Sequence, residues 1–258
     1  MNFLAALKFL TIMRLPWPKA MPRELGWSTV YFPVVGVIIG LILAGLNWLL
    51  GLVLPSAIVR VLLIICLVML TGALHLDGFV DTCDGIAGLK TPKERWEVMH
   101  DSRVGAFGVI GACCLLLVKY ISLNSVPEPL MTMTLVLMPV ISRWVMVYAI
   151  FAYPYARPSG LGKAFKPGTD WQRFTLTTVI TLMVATGLAW WAGVAYFFVA
   201  GLVIMFVIWV IIMVMATYMK HKFAGLTGDT YGAINEVSEV FVLIFICLLT
   251  HKQWLGLA

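Results

Sequence analysis

The segment "GALHLDGFVDTCDGIAG", residues 72–88, places Asp77, Asp81 and Asp84 within eight positions, directly after an apolar run from Ile58 to Leu70. On a continuous helix these positions are i, i+4 and i+7 and share one face. Like charges at that spacing repel, so a cation between them is expected. Carboxylate oxygens without His or Cys partners favour Mg²⁺, or Mn²⁺, over zinc. Magnesium keeps places for water and phosphate oxygens, and the implied ligand is a diphosphate. Gly78 and Gly85 are expected to leave room for a ligand beside the carboxylates. Asp77 and Asp84 are separated by roughly 10 Å of helix rise, so binding by all three requires a bend at Gly78 or a second metal. The alternative is that the acids merely solvate a helix end. His75 fits a satisfied core histidine and a group supporting metal or phosphate equally well.

Three further polar stretches carry candidate groups. "HDSRVGAFG", residues 100–108, offers Asp101 as another metal ligand and Arg103, whose guanidinium suits bidentate phosphate contact. "YPYARPSGLGKAFKPGTDWQR", residues 153–173, sets Arg157, Lys163 and Lys166 among glycines, with Lys163 the expected phosphate contact. It is no Walker loop: Ala164 follows Lys163, and Arg157 stands where the first glycine belongs. "GLTGDTYGAINEVSEV", residues 225–240, contains Asp229, Asn235, Glu236 and Glu239. Asp229 and Asn235 are candidates for substrate contact. Glu236 and Glu239, at i and i+3, are candidates for accepting a proton or for capping a helix. Arg143 lies about nine residues, roughly 14 Å of helix, inside an apolar span and is expected to face a cavity and an anionic partner.

These groups need a scaffold, and the composition defines it. Of 258 residues, 62% are hydrophobic and 12% charged, far from the proportions of a soluble domain. Apolar runs at about 28–50, 57–76, 105–123, 130–152, 174–192, 194–219 and 236–257 are each long enough to cross a hydrocarbon core. The chain is thus expected to be all-α and polytopic, a single domain over residues 1–258 with about seven spans in a lipid bilayer. "WWAGVA", residues 190–195, reads as a tight turn between two spans or as something less regular. The net charge of +6 is read as topology rather than as nucleic-acid binding. Lys8, Arg14, Lys19, Arg23, Lys90, Lys93, Arg95, Arg103, Arg157, Lys163, Lys166, Arg173, Lys220 and Lys222 fall on alternate connections. That pattern implies a cytoplasmic N-terminus, a C-terminus on the far side, and site loops at 77–104, 153–173 and 220–239 facing the cytoplasm. Arg60, Lys119 and Lys252 are expected near the outer ends. The first residues predict an interfacial helix, with Lys8 and Arg14 at the headgroups and Pro16 ending it. Six of the 12 acids fall in residues 77–103, so charge gathers at one membrane face. Cys66, Cys83, Cys113, Cys114 and Cys247 show no zinc or redox spacing.

With "RLPWP", "HLDGFVDTCDG", "DSRVGAFG", "SRW" at 142–144, "GLGKAF" and "GLTGDTYGAINEVSE" in order along nearly the whole chain, the sequence resembles the cobalamin synthase family, the adenosylcobinamide-GDP ribazoletransferases. The family tends to have Arg where His100 stands and a polar or acidic residue at Pro158 and Ser159. The resemblance implies the last step of nucleotide-loop assembly at a bacterial cytoplasmic (inner) membrane. There α-ribazole, or its 5′-phosphate, is joined to adenosylcobinamide-GDP with release of GMP, using Mg²⁺. Homo-oligomerisation is left open. Two other enzyme families share fragments. "DTCDGIAG" reads D-x-x-D-G-x-x-A as in CDP-alcohol phosphotransferases, but Gly88 stands where Arg is needed and Asp101 has no acidic partner at 105. Asp77-x-x-x-Asp81 is similar to aromatic prenyltransferases, but a second such motif is missing. A transporter predicts ionisable groups near mid-bilayer and interrupted helices.

Overall fold

A computed structural model describes residues 2–13, 22–88 and 91–251. Arg14, Pro16, Lys19, Lys90 and Lys252, and the segment "RLPWP", lie outside the described residues. The elements are α1 (Asn2–Leu10), α2 (Pro22–Ser28), a 3₁₀ turn (Thr29–Tyr31), α3 (Phe32–Gly51), α4 (Ser56–Leu70), α5 (Leu74–Ile86), α6 (Pro92–His100) and α7 (Ala106–Asn124). They continue with α8 (Glu128–Ala152), α9 (Leu161–Phe165), α10 (Trp171–Trp191), α11 (Phe197–Phe223) and α12 (Gly228–His251). Six helices are long and apolar enough to cross a membrane, and α4 with α5 makes a seventh if that bent pair is one span. The expected all-α, polytopic architecture holds.

Helix starts follow local chemistry. Thr91 and Glu94 close a capping box on α6, and Asp170 accepts the Arg173 amide at the start of α10. Proline occupies the first turns of α3, α6 and α8, where its missing N–H costs nothing. The central element is α8, buried on nearly every side despite Pro139 inside it. Its neighbour α3 presents Gly36 and Gly40 to it; a Cβ at either would strike the α8 backbone near Pro139 or Val136. Small residues let membrane helices approach this closely, which replaces a hydrophobic drive that lipid does not supply.

Three details depart from the sequence reading. The second span does not run on through the aspartates: it breaks after Leu70, and α5 leaves α4 at 89°. Gly72 and Ala73 make the turn with φ of +61° and +58°, a left-handed geometry unusual for alanine. The last span starts at Gly228 rather than 236, so Asp229 begins a helix and Glu236 and Glu239 lie inside it. The first helix forms as expected but docks on protein. Ala6 and Leu10 are fully buried, and the Phe9 ring sits 4.4 Å from that of Phe165. "WWAGVA" is the tight turn: α10 ends at Trp191, and Gly193 takes φ +71°.

Helix α5, set at 89° to α4, lies against the first turns of α12. A Cβ at Gly78 would sit 2.7 Å from the Asp229 carbonyl oxygen, and one at Gly232 would sit 2.8 Å from that of His75. Gly232→Ala is therefore expected to lower the melting temperature of the solubilised protein by about 2–10 °C. Gly187→Ala, where the added carbon meets nothing within 4 Å, should leave it unchanged or raise it. Equal melting temperatures for the two variants would contradict this packing.

Candidate active site

At the end of the bundle that carries the long connections, a cleft of about 240 Å³ opens between α5, the end of α6, the α8–α9 connection and the start of α12. Asp77, Gly78 and His75 come from α5 and His100 from α6. Tyr155, Arg157, Gly160 and Gly162 come from the connection, and Gly228, Asp229, Tyr231 and Gly232 from α12. The connection is tied to the α11–α12 turn by backbone: Ala156 N–H donates to Leu226 at 2.8 Å, and Leu226 N–H donates to Pro154 at 2.9 Å. That clasp brings Arg157 Nη2 to 3.1 Å from Asp229 Oδ2. Thr227 and Thr230 cap α12 reciprocally, at 3.2 and 2.8 Å. The N-terminus of a long helix, with Gly228 and Asp229 in its first turn, thus faces the cleft, and its dipole favours an anion there. An arginine, a histidine, two carboxylates and a run of side-chain-free backbone can together hold a polyanion and a cation.

The three aspartates of α5 divide. Asp77 is exposed in the cleft. Asp81 is half-buried; burial, then the charges of Asp77, Asp229 and Asp84, push its carboxyl up to about 7. Asp84 turns the other way. Its two oxygens accept the Gly105 and Gly108 amides, both at 2.8 Å, so it caps α7. Those amides take one hydrogen bond on each Asp84 oxygen, while Asp81 is crowded by Asp77 and Asp229. Asp101 and Arg103 pair on the exposed turn before α7, Nη2 to Oδ2 at 2.7 Å, and the arginine holds the Asp101 carboxyl down at about 2. With Asp84, Gly88 and Gly105 they line a second, open concavity of about 570 Å³ at the C-terminal end of α5.

The groups expected deeper in the membrane form a separate cluster. Lys119, expected near an outer end, instead reaches inward and donates to Glu236 at 2.6 Å and Glu239 at 2.8 Å. Arg143 donates to Glu239 and to Ser142, and Asn235 donates to Glu239 at 3.2 Å. All are buried. Arg143 has its anionic partner, but that partner belongs to the protein. Glu236 and Glu239 stand apart from the α5 carboxylates because the helix starts eight residues earlier than the sequence suggested. Arg60 is buried too and pairs with Glu128 and Asn47.

Other expectations are corrected by packing. Gly78 lines the cleft and also meets the Asp229 backbone, whereas a Cβ at Gly85 would lie 2.7 Å from Met99 and faces a packed neighbour. Lys163 points at the Pro158 carbonyl, 2.5 Å away and exposed. The cleft's cation is Arg157, which the sequence placed only among the loop's basic residues. His100, Tyr155 and Tyr231 were given no role. Their common signal was membership of the polar, glycine-containing stretches 100–108, 153–173 and 225–240.

The oxygen-only donor set around Asp81 suits Mg²⁺, and the crowding of Asp77, Asp81 and Asp229 is the repulsion a cation relieves. Among the described residues no three His, Cys, Asp or Glu side chains converge as a complete ligand set. That is compatible with an ion held by one or two carboxylates and by phosphate oxygens of a ligand.

Residues 2–247 match the family model described as cobalamin-5-phosphate synthase. Proteins named adenosylcobinamide-GDP ribazoletransferase are similar over almost the whole chain. The protein of Roseiflexus sp. (strain RS-1) is 34% identical over 94% of this chain and 88% of its own length. That of Syntrophobacter fumaroxidans (strain DSM 10017 / MPOB) is 37% identical over 94% and 96%. That of Fusobacterium nucleatum subsp. nucleatum is 33% identical over 99% of both. No solved structure matches. A match of this extent, on a polytopic helical chain, means that the chain belongs to the cobalamin-5-phosphate synthase family.

Proposed function

We propose that this membrane enzyme transfers the cobinamide phosphate of adenosylcobinamide-GDP to α-ribazole, or to its 5′-phosphate, and releases GMP. The observation that carries the reading is the cleft in which Arg157, His100, Asp77 and Asp229 meet the N-terminus of α12. In the reaction the ribazole 3′-hydroxyl oxygen bonds to the phosphorus on the cobinamide side as the bond from that phosphorus to the GMP oxygen breaks. Arg157 binds phosphate oxygens as a planar, permanently charged donor. The N-terminal dipole of α12 adds attraction for phosphate without a second full charge. Asp81, half-buried among other acids and so a stronger base than an ordinary aspartate, is placed to take the hydroxyl proton or to hold metal. Asp77, Asp81 and Asp229 are the residues to hold Mg²⁺, which when bound neutralises charge developing on the diphosphate. Asp84 supports α7 instead, and Asp101 with Arg103 lines the neighbouring concavity, where a second substrate can approach.

The chain is placed in the bacterial cytoplasmic membrane with its N-terminus inside. The basic residues of alternate connections support this orientation, and it puts the cleft in the compartment that supplies nucleotides. A reporter fused at Pro127 is expected on the far side and one at Ser159 in the cytoplasm; the reverse pattern overturns the orientation.

Purified protein in lipid, given adenosylcobinamide-GDP, α-ribazole and Mg²⁺, should form cobalamin and GMP in equal amounts by mass detection. A chelator should stop both; turnover unaffected by chelation would remove metal from the mechanism. Asp81→Asn should lower kcat on the order of 10²-fold or more with an unchanged melting temperature. Asp84→Asn should do the opposite first, losing about 1–3 kcal/mol of stability as one amide of α7 loses its acceptor. Wild-type turnover by Asp81→Asn sinks the assignment of that residue.

A further inference from the structure

Below the cleft floor a column of polar groups runs into the bundle. His75 and Gly232 line the cleft. Three and seven residues on from Gly232, one face of α12 carries Asn235 and Glu239, and α8 sets Arg143 against that face. His75 feels the charges of Arg143, Glu239 and Lys119. The column contains both nitrogens of His75, Nε and Nη2 of Arg143, and Oδ1 of Asn235, all buried and without hydrogen-bond partners among the described residues. Buried polar atoms are almost always partnered, because leaving one unmade costs its full desolvation. A bundle free to choose would fill such a place with leucine.

The chemistry of the five atoms is uneven. Arg143 offers donors only, and Asn235 offers its carbonyl oxygen. A neutral imidazole has one donor and one acceptor nitrogen. Neither His75 nitrogen has a partner among the described residues and His75 lines the cleft, so its N–H is left for a group that enters there. There the anion-favouring end of α12 and Arg157 lie on the same wall.

We propose that His75 contacts the substrate's diphosphate from the cleft floor through its N–H. The proposal rests on the diphosphate reading of the cleft and adds to it a residue of the substrate contact. Bound substrate would then partner an imidazole that the protein alone leaves unpartnered.

The test compares His75→Gln with His75→Met, which are close in size and differ in hydrogen bonding. Each is purified in detergent, its melting temperature is measured, and GDP with Mg²⁺ is titrated as the probe. His75→Met removes two unpartnered nitrogens, so its melting temperature should equal or exceed that of the wild type while GDP affinity falls at least tenfold. His75→Gln should bind GDP within about threefold of the wild type. Should the Met chain not fold, His75→Phe takes its place in the same comparison. Met and Gln variants that bind GDP equally, whether both tightly or both weakly, overturn the proposal, since a packing role moves both alike. Wild-type protein that binds no GDP overturns the diphosphate reading itself, and this contact with it, through a different arm of the experiment.

Discussion

Glu239 accepts from Lys119 and from Arg143, so that α7, α8 and α12 meet at one carboxylate in the interior of the bundle. With Glu236 the cluster has two acids and two bases and closes its own charge. Removing any one member would strand a charge where water does not reach, so the register of these three helices is fixed by the pairing. The depth of α12 follows from that register, and with it the position of Gly228 and Asp229 at the cleft. The packing of α5 across Gly232 follows as well. Charges far from the chemistry thereby set where the chemistry can happen.

Within that frame the cleft divides labour among residues that look alike in sequence. Asp77, Asp81 and Asp84 sit on one short helix, yet the first faces the cleft, the second is crowded by like charge, and the third caps another helix. A carboxylate accepting two amides is committed to structure, whereas one surrounded by carboxylates needs a cation or a proton. The same contrast separates Arg157, turned into the cleft, from Arg103, paired on the exposed turn.

Much of this was legible in the residues. Composition and the long apolar runs gave the all-α membrane architecture, because a bilayer leaves few alternatives for a spanning backbone. The gathering of acids at one face marked the end of the molecule where the candidate cleft opens, and the turn at residues 190–195 was one of the two readings open for "WWAGVA". What was not legible depended on contacts between distant segments. Periodicity marked Asp84 as a companion of Asp77; only the approach of Gly105 and Gly108 shows it capping α7. The polar start of α12 was read as a loop because "GLTGDTYGAINE" is poor in apolar residues, although its helix is held by Thr227 and Thr230 and by burial against α5. Lys119 could not be paired with acids 117 and 120 positions away, so it looked like an outer anchor. Arg157 was noticed as a loop cation, but the backbone clasp to Leu226 that aims it leaves no mark in either segment alone.

The turn at Gly72 and Ala73 has one more effect. It stops α4 after 15 residues, about 22 Å of helix against a hydrocarbon thickness near 30 Å. At that length α4 alone is too short to cross, and a seventh crossing needs the bent pair α4 and α5 as one unit; the same two residues that aim the carboxylates therefore decide whether that unit spans.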